Sequence, residues 1–130
     1  IIPFRNKKRL LAIQGRSLEP DANLRYITIK AQDDTPKLFG LDRIDPKADR
    51  IYVLEGPFDS MFLPNAIAMA GADLPSILPK SKTIVVYDDE PRNREIVRKM
   101  DVAIKLGYRV CIWPERFQST DRKDINQMIL

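Results

Sequence analysis

Apolar residues along this chain fall into short runs that end in acids. Residues 51–55 (Ile-Tyr-Val-Leu-Glu) and 83–88 (Thr-Ile-Val-Val-Tyr-Asp) are near-continuous β-branched and aromatic runs, as expected of strands buried on both faces. Residues 92–106 instead place Ile96, Met100, Ala103 and Ile104 at helical spacing, and Gly107 follows where a C-terminal cap is expected. A helix over roughly 58–70, with Pro57 in its first turn, a short strand or loop over 72–78 and a strand over 109–113 complete the reading. The resulting βαβαβ order predicts an α/β fold with a parallel sheet and right-handed crossovers.

The first third reads differently. Residues 10–18 and 25–31 are strands joined by the turn-rich Glu19-Pro-Asp-Ala-Asn23. The second alternates, with Arg25, Ile27 and Ile29 on one face and Tyr26, Thr28 and Lys30 on the other, as in a half-exposed antiparallel pair. Residues 33–48, with Pro36, Pro46 and the Leu38-Phe-Gly-Leu41 patch, read as an ordered connector. The expected organisation is a short antiparallel β segment over 1–48, followed by the α/β unit over 49–130.

Composition narrows the chemistry. The 130 residues are 44% hydrophobic, enough for a core, and contain no histidine and one cysteine. This excludes zinc sites of Cys and His, Ser-His or Cys-His nucleophile pairs, histidine acid–base chemistry and an internal disulfide; Cys111 reads as a buried strand cysteine. No apolar stretch approaches the roughly 20 residues of a membrane span and no basic-then-apolar leader opens the chain, so a soluble intracellular protein is expected. The start at Ile1 and the apolar end at Leu130 read as those of an excised fragment. The net charge of +4 is uneven: residues 1–30 hold seven basic residues against two acidic ones, a net +5. A basic arm beside an acidic cleft suits an enzyme that processes polyanions; a solvated hairpin face is the plainer alternative.

The acids sit where chemistry is expected. In open parallel sheets, ligands bind outside the carboxyl ends of the strands, so Glu55, Asp59, Asp88 and Glu90 are placed to share one cleft. Carboxylates at adjacent strand tips bind Mg²⁺ through hard oxygen ligands, and Gly56 permits a close approach that a side chain would block. The plainer readings are a simple Glu-Gly turn, a helix cap from Asp89 or Glu90 near Pro91, and an N-cap from Asp124 for a helix starting near Ile125.

Glu55-Gly-x-x-Asp59 after one strand and Asp88-x-Glu90 after the next resemble the Toprim domain shared by bacterial-type primases, type IA and type II topoisomerases and some nucleases. Asp121-Arg-Lys-Asp124-Ile-Asn126 resembles the late Lys-Asp-x-Asp segment of the primase branch. Ile2-Pro-Phe-Arg-Asn6, Ala12-Ile-Gln-Gly-Arg16, Leu24-Arg-Tyr26 and Leu38-Phe-Gly-Leu41 are similar to the basic lobe that precedes the Toprim fold in bacterial and bacteriophage primases. The resemblance spans essentially the whole chain. Departures are Glu90 where aspartate is commoner, Arg25 where lysine is usual, Asn126 for the second late aspartate, and the absence of a Lys-Gly-Arg run around Lys37.

The resemblance implies a primase catalytic fragment that polymerises ribonucleotides on single-stranded DNA, in the cytoplasm of a bacterium or a phage-infected cell, beside a replicative helicase. Two Mg²⁺ (or Mn²⁺) ions would bind among Glu55, Asp88, Glu90 and Asp124, with Asp59 orienting the ligands. Glu55 suits either a ligand or a general base. Arg5, Arg16, Arg25 and Lys37 would hold template or nucleotide phosphates, although each also suits a solvated strand position. Alternative readings are a Toprim nuclease using the same carboxylates on water, or a noncatalytic nucleic-acid-binding fragment.

Overall fold

The computed structural model describes residues 1–71, 73–115 and 122–129. The chain is a mixed α/β protein with two sheets. Strands β1 (Ile2–Asn6), β2 (Arg9–Arg16) and β3 (Tyr26–Lys30) form an antiparallel sheet in the order β1-β2-β3. Strands β4 (Ile51–Leu54), β5 (Ala66–Ala68), β6 (Thr83–Val86) and β7 (Arg109–Val110) form a parallel sheet in the order β5-β4-β6-β7. Helices α1 (Pro57–Ser60), α2 (Arg94–Lys105) and α3 (Ile125–Ile129) accompany it. Among the described residues no helix is long and apolar enough to cross a membrane.

Both faces of the parallel sheet are covered, which is why its strands lack polar alternation. Ile51, Val53, Ile67, Val85 and Tyr87 pack against Ile96 and Ala103 of α2 in the main core. On the opposite face, Leu54, Ala66 and Val86 meet Leu63, Trp113 and Ile125 of α3. Helix α2 matches its expected span closely: the Asn93 side chain accepts the Glu95 amide at its start. At its end Gly107 takes a left-handed φ of 91°, a conformation that costs glycine little.

Two expectations are corrected. The helix expected over 58–70 is a single turn, because Pro64 follows at once and cannot sit in a helix interior; the buried Ala66-Ile-Ala68 becomes strand β5. The stretch 73–78 is loop, one of the two forms expected of it, and the second parallel strand lies before it. Cys111 lies just past β7 and is half-buried, its amide extending the ladder to Val85 O at 2.8 Å.

The antiparallel sheet is joined to the rest through its inner face. Phe4, Leu11 and Ala12 form a small core with Ala70, and Phe39 meets the Phe4 ring edge-on at 5.6 Å. Phe39 and Ala68 exchange backbone hydrogen bonds at 2.9 and 3.0 Å, attaching the connector to β5. The sheet's outer strand is less protected than the alternation predicts: Tyr26, Ile27 and Ile29 are all exposed, on both faces.

Candidate active site

The acids gather at the C-terminal ends of β4 and β6. These strands pair in parallel register with Leu54 level with Val86, so Glu55 and Asp88 emerge at neighbouring tips. Glu55 follows the Val53 side of the sheet, where α2 packs, and receives Lys99 Nζ at 3.3 Å. Asp59 sits one helical step beyond Gly56 and accepts the Asn126 backbone amide at 3.2 Å, which ties α1 to α3. A Cβ on Gly56 would lie 2.4 Å from Asp59 Oδ2. The expected close approach at Gly56 is therefore filled by the Asp59 carboxylate.

Asp88 is the electrostatic centre. Burial pushes its carboxyl up to about 7, and the charges of Glu55, Asp59, Asp124 and Glu90 push in the same direction. Burial also raises Asp59, helped by Asp124 and opposed by the Asn126 amide and by Arg16. The four other acids singled out in the sequence thus all act on Asp88. Asp89 is not among the charges acting on Asp88; its amide instead donates to Lys123 O at 2.6 Å.

Two lysines neutralise the rim. Lys123 Nζ bonds Glu90 Oε1 at 2.6 Å and Asn93 Nδ2 bonds Glu90 Oε2 at 2.9 Å, which together hold Glu90 below the usual carboxylate range. Lys99 joins Glu55 to Glu95 and borders a cleft of about 610 Å³ that opens beside Glu55 and Tyr87 and includes Arg98. Asp124 accepts the Gln127 amide at 2.7 Å, so it caps α3 while its charge reaches Asp88. The cap of α2 falls to Asn93, not to Asp89 or Glu90. Asp121 lies outside the described residues.

The oxygen-only donor set and the surplus negative charge at Asp88 suit a hard divalent cation, which would offset the burial and the repulsion that otherwise favour a proton there. Among the described residues, however, no group of three or more acidic side chains is gathered closely enough to hold a metal ion. Glu55 and Glu90 are occupied by Lys99 and Lys123, and these pairs would have to open for a cation to enter.

The basic residues separate. Arg16, at the end of β2, holds its guanidinium 5.1 Å from the centre of the Phe58 ring, and its charge acts on Asp59. Arg25 lies at the same end, where its carbonyl accepts the Ser17 amide. Arg5 pairs with Leu10 near the opposite end of the sheet, six residues from Arg16 along β2 and so on the order of 20 Å away. Lys37 is half-buried in the connector, just before the Phe39–Ala68 bridge. Among the described residues the side chains of Arg5, Arg25 and Lys37 form no ion pair.

Sequence reasoning missed Lys99 and Lys123, whose partners are 44 and 33 residues distant in sequence. It also missed Arg43, which donates to buried Ser60 Oγ at 3.3 Å and to Ala66 O at 3.2 Å while lying over Phe39. Nothing local marks Arg43, since its role depends on α1 and β5 meeting.

No family model matches the chain. It is 37% identical to the DNA primase of Enterobacteria phage T4 over 132 residues, a match covering 99% of this chain and 37% of that protein. The chain thus spans little more than a third of the relative it matches. Its fold is similar to that of the Aquifex aeolicus primase, solved as its zinc binding and RNA polymerase domains, with a TM-score of 0.59 and 21% identity over 84% of this chain and 32% of that one. Over nearly its full length, then, the chain is similar to one segment of the phage T4 DNA primase.

Proposed function

We propose that this chain is the Toprim-containing catalytic segment of a DNA primase, which joins ribonucleotides into short primers on single-stranded DNA. The observation that carries the reading is Asp88, half-buried at a strand tip and raised to about 7 amid four further carboxylates. Such a concentration of like charge destabilises the apo chain and is maintained where cations are recruited.

Glu55, Asp88, Glu90 and Asp124 would hold Mg²⁺ or Mn²⁺, which supplies charge neutralisation and activation of the primer hydroxyl for phosphoryl transfer. The chain's own contribution is positioning. Asp59, fixed by Asn126 and packed over Gly56, orients the ligand-bearing ends of α1 and α3. Lys99 and Lys123 pair with Glu55 and Glu90 until a cation replaces them. Arg16 and Arg25 supply positive charge at the sheet end nearest the acids, where a phosphate backbone would run. The partners are then single-stranded DNA and ribonucleoside triphosphates, with a replicative helicase delivering the unwound template in a bacterial or phage-infected cytoplasm.

The test is incubation of the chain with single-stranded DNA, labelled ribonucleotides and Mg²⁺ or Mn²⁺, compared with Asp88→Asn on a denaturing gel. New short RNA that disappears in the variant supports the reading. Shortened input DNA indicates a nuclease. Neither product indicates a binding segment that requires the remainder of a primase.

A further inference from the structure

We propose that Phe58 and Arg16 form a stacking seat for one unpaired nucleobase immediately beside the acidic centre, with Tyr26 adding a second exposed ring on the same side of the antiparallel sheet. The proposal deepens the primase reading and rests on it, by naming where a template base would be held.

Phe58 is 37% exposed although Pro57 and Ser60 of the same helical turn are buried. It belongs to none of the three apolar clusters of the fold. A phenyl ring left out of the core, one residue before Asp59, keeps part of its surface open to a ligand. The Arg16 guanidinium lies over this ring at 5.1 Å and forms no ion pair among the described residues. Arg16 is level with Tyr26 in the β2–β3 ladder, so both side chains leave the sheet on the same face, and Tyr26 is 53% exposed.

A planar cation over an aromatic ring favours a flat, π-faced, negatively charged ligand over an aliphatic protein surface, which would strip water from the guanidinium without compensation. An unpaired nucleotide offers both parts: a base to stack on Phe58 and a phosphate for Arg16. The net +5 of residues 1–30 supplies the long-range attraction. Stacking on one ring holds a base without reading its identity, as copying an arbitrary template requires.

The test uses the full 130-residue chain, a short single-stranded oligonucleotide carrying 2-aminopurine, low salt and EDTA, with fluorescence and anisotropy read together. The wild type is expected to quench the 2-aminopurine on binding, and Phe58→Tyr to do the same. Phe58→Leu, which keeps an apolar side chain at this exposed site, is expected to bind roughly ten-fold more weakly and to lose the quench while keeping the salt slope. Arg16→Ala is expected to weaken binding and lower the salt slope by about one. Wild-type affinity and quench in Phe58→Leu, or no oligonucleotide binding by the wild type, overturns the proposal. Because EDTA removes metal chemistry, failure of primer synthesis on the gel leaves this result standing, and loss of the quench leaves the gel result standing.

Discussion

Lys99 reaches from the middle of α2 to Glu55 at the tip of β4, 3.3 Å away, while also pairing with Glu95 at 3.1 Å. The lysine occupies the carboxylate that a cation would need, so it competes with metal. Lys99→Gln is therefore expected to tighten Mg²⁺ binding roughly two- to fivefold, a modest gain because a half-exposed pair is weak. Isothermal titration of both proteins at the same ionic strength checks it; weaker binding in the variant would mean that Lys99 organises the site.

Asp88 sets a pH dependence. Its folded value of about 7 lies above the ordinary 3.8, so its contribution to stability is fully present below pH 4 and is lost as pH rises through 7. The metal-free chain is expected to melt lower at pH 8 than at pH 5.5; Glu90, whose value is lowered from 4.5, changes stability only below this window. Asp88→Asn removes the ionisation and should raise the melting temperature at pH 8 by several degrees, on the order of 1–3 kcal/mol. Saturating Mg²⁺ should recover much of the same stability in the wild type and little in the variant.

Gly56 and Asp59 are expected to behave as one unit. An alanine at 56 must displace the Asp59 carboxylate from 2.4 Å, breaking its bond to the Asn126 amide at a cost of about 1 kcal/mol. In a double-mutant cycle, Gly56→Ala should add almost nothing to Asp59→Ala. Thermal denaturation of the four proteins measures this. Additive effects would show that the alanine acts through the backbone instead.

Arg43 is a strut with no part in chemistry. Arg43→Ala removes two hydrogen bonds, to Ser60 and Ala66, and the contact with Phe39. The expected loss is about 2–3 kcal/mol, read as a lower urea midpoint at an unchanged slope. Arg43→Lys should recover less than half, since an ammonium cannot bridge two acceptors and stack at once.

The parts of this protein that depend on local pattern were legible in the sequence. The β4 and β6 runs, the α2 periodicity and the Gly107 cap are each written within one element, and all are present. The acids at 55, 59, 88 and 90 follow from the strand tips. The failures share one cause. Ala66-Ile-Ala68 is too short and too small-chained to read as a strand, and becomes one only because β4 offers its edge. Lys99, Lys123 and Arg43 earn their roles from partners that the fold brings near, and no spacing rule reaches across 17 to 44 residues. The primase resemblance placed Asp124 near the other acids, which periodicity alone would have left as a helix cap; it fills both roles.

The acidic centre has its own stability, lower than that of the sheet beneath it. Helix α3 has five residues and none is buried, yet it carries the hydrogen bond from Asn126 to Asp59, 67 residues earlier in the chain, and follows directly on Asp124. Such a segment lifts away at a fraction of the cost of global unfolding, because little apolar surface is exposed when it goes. Hydrogen exchange at the Asn126 amide should thus report an opening far faster than that of Val53 or Val85. The centre would then be assembled and dismantled repeatedly within one folded lifetime, its occupancy set by whatever binds there and not by the folding of the sheet.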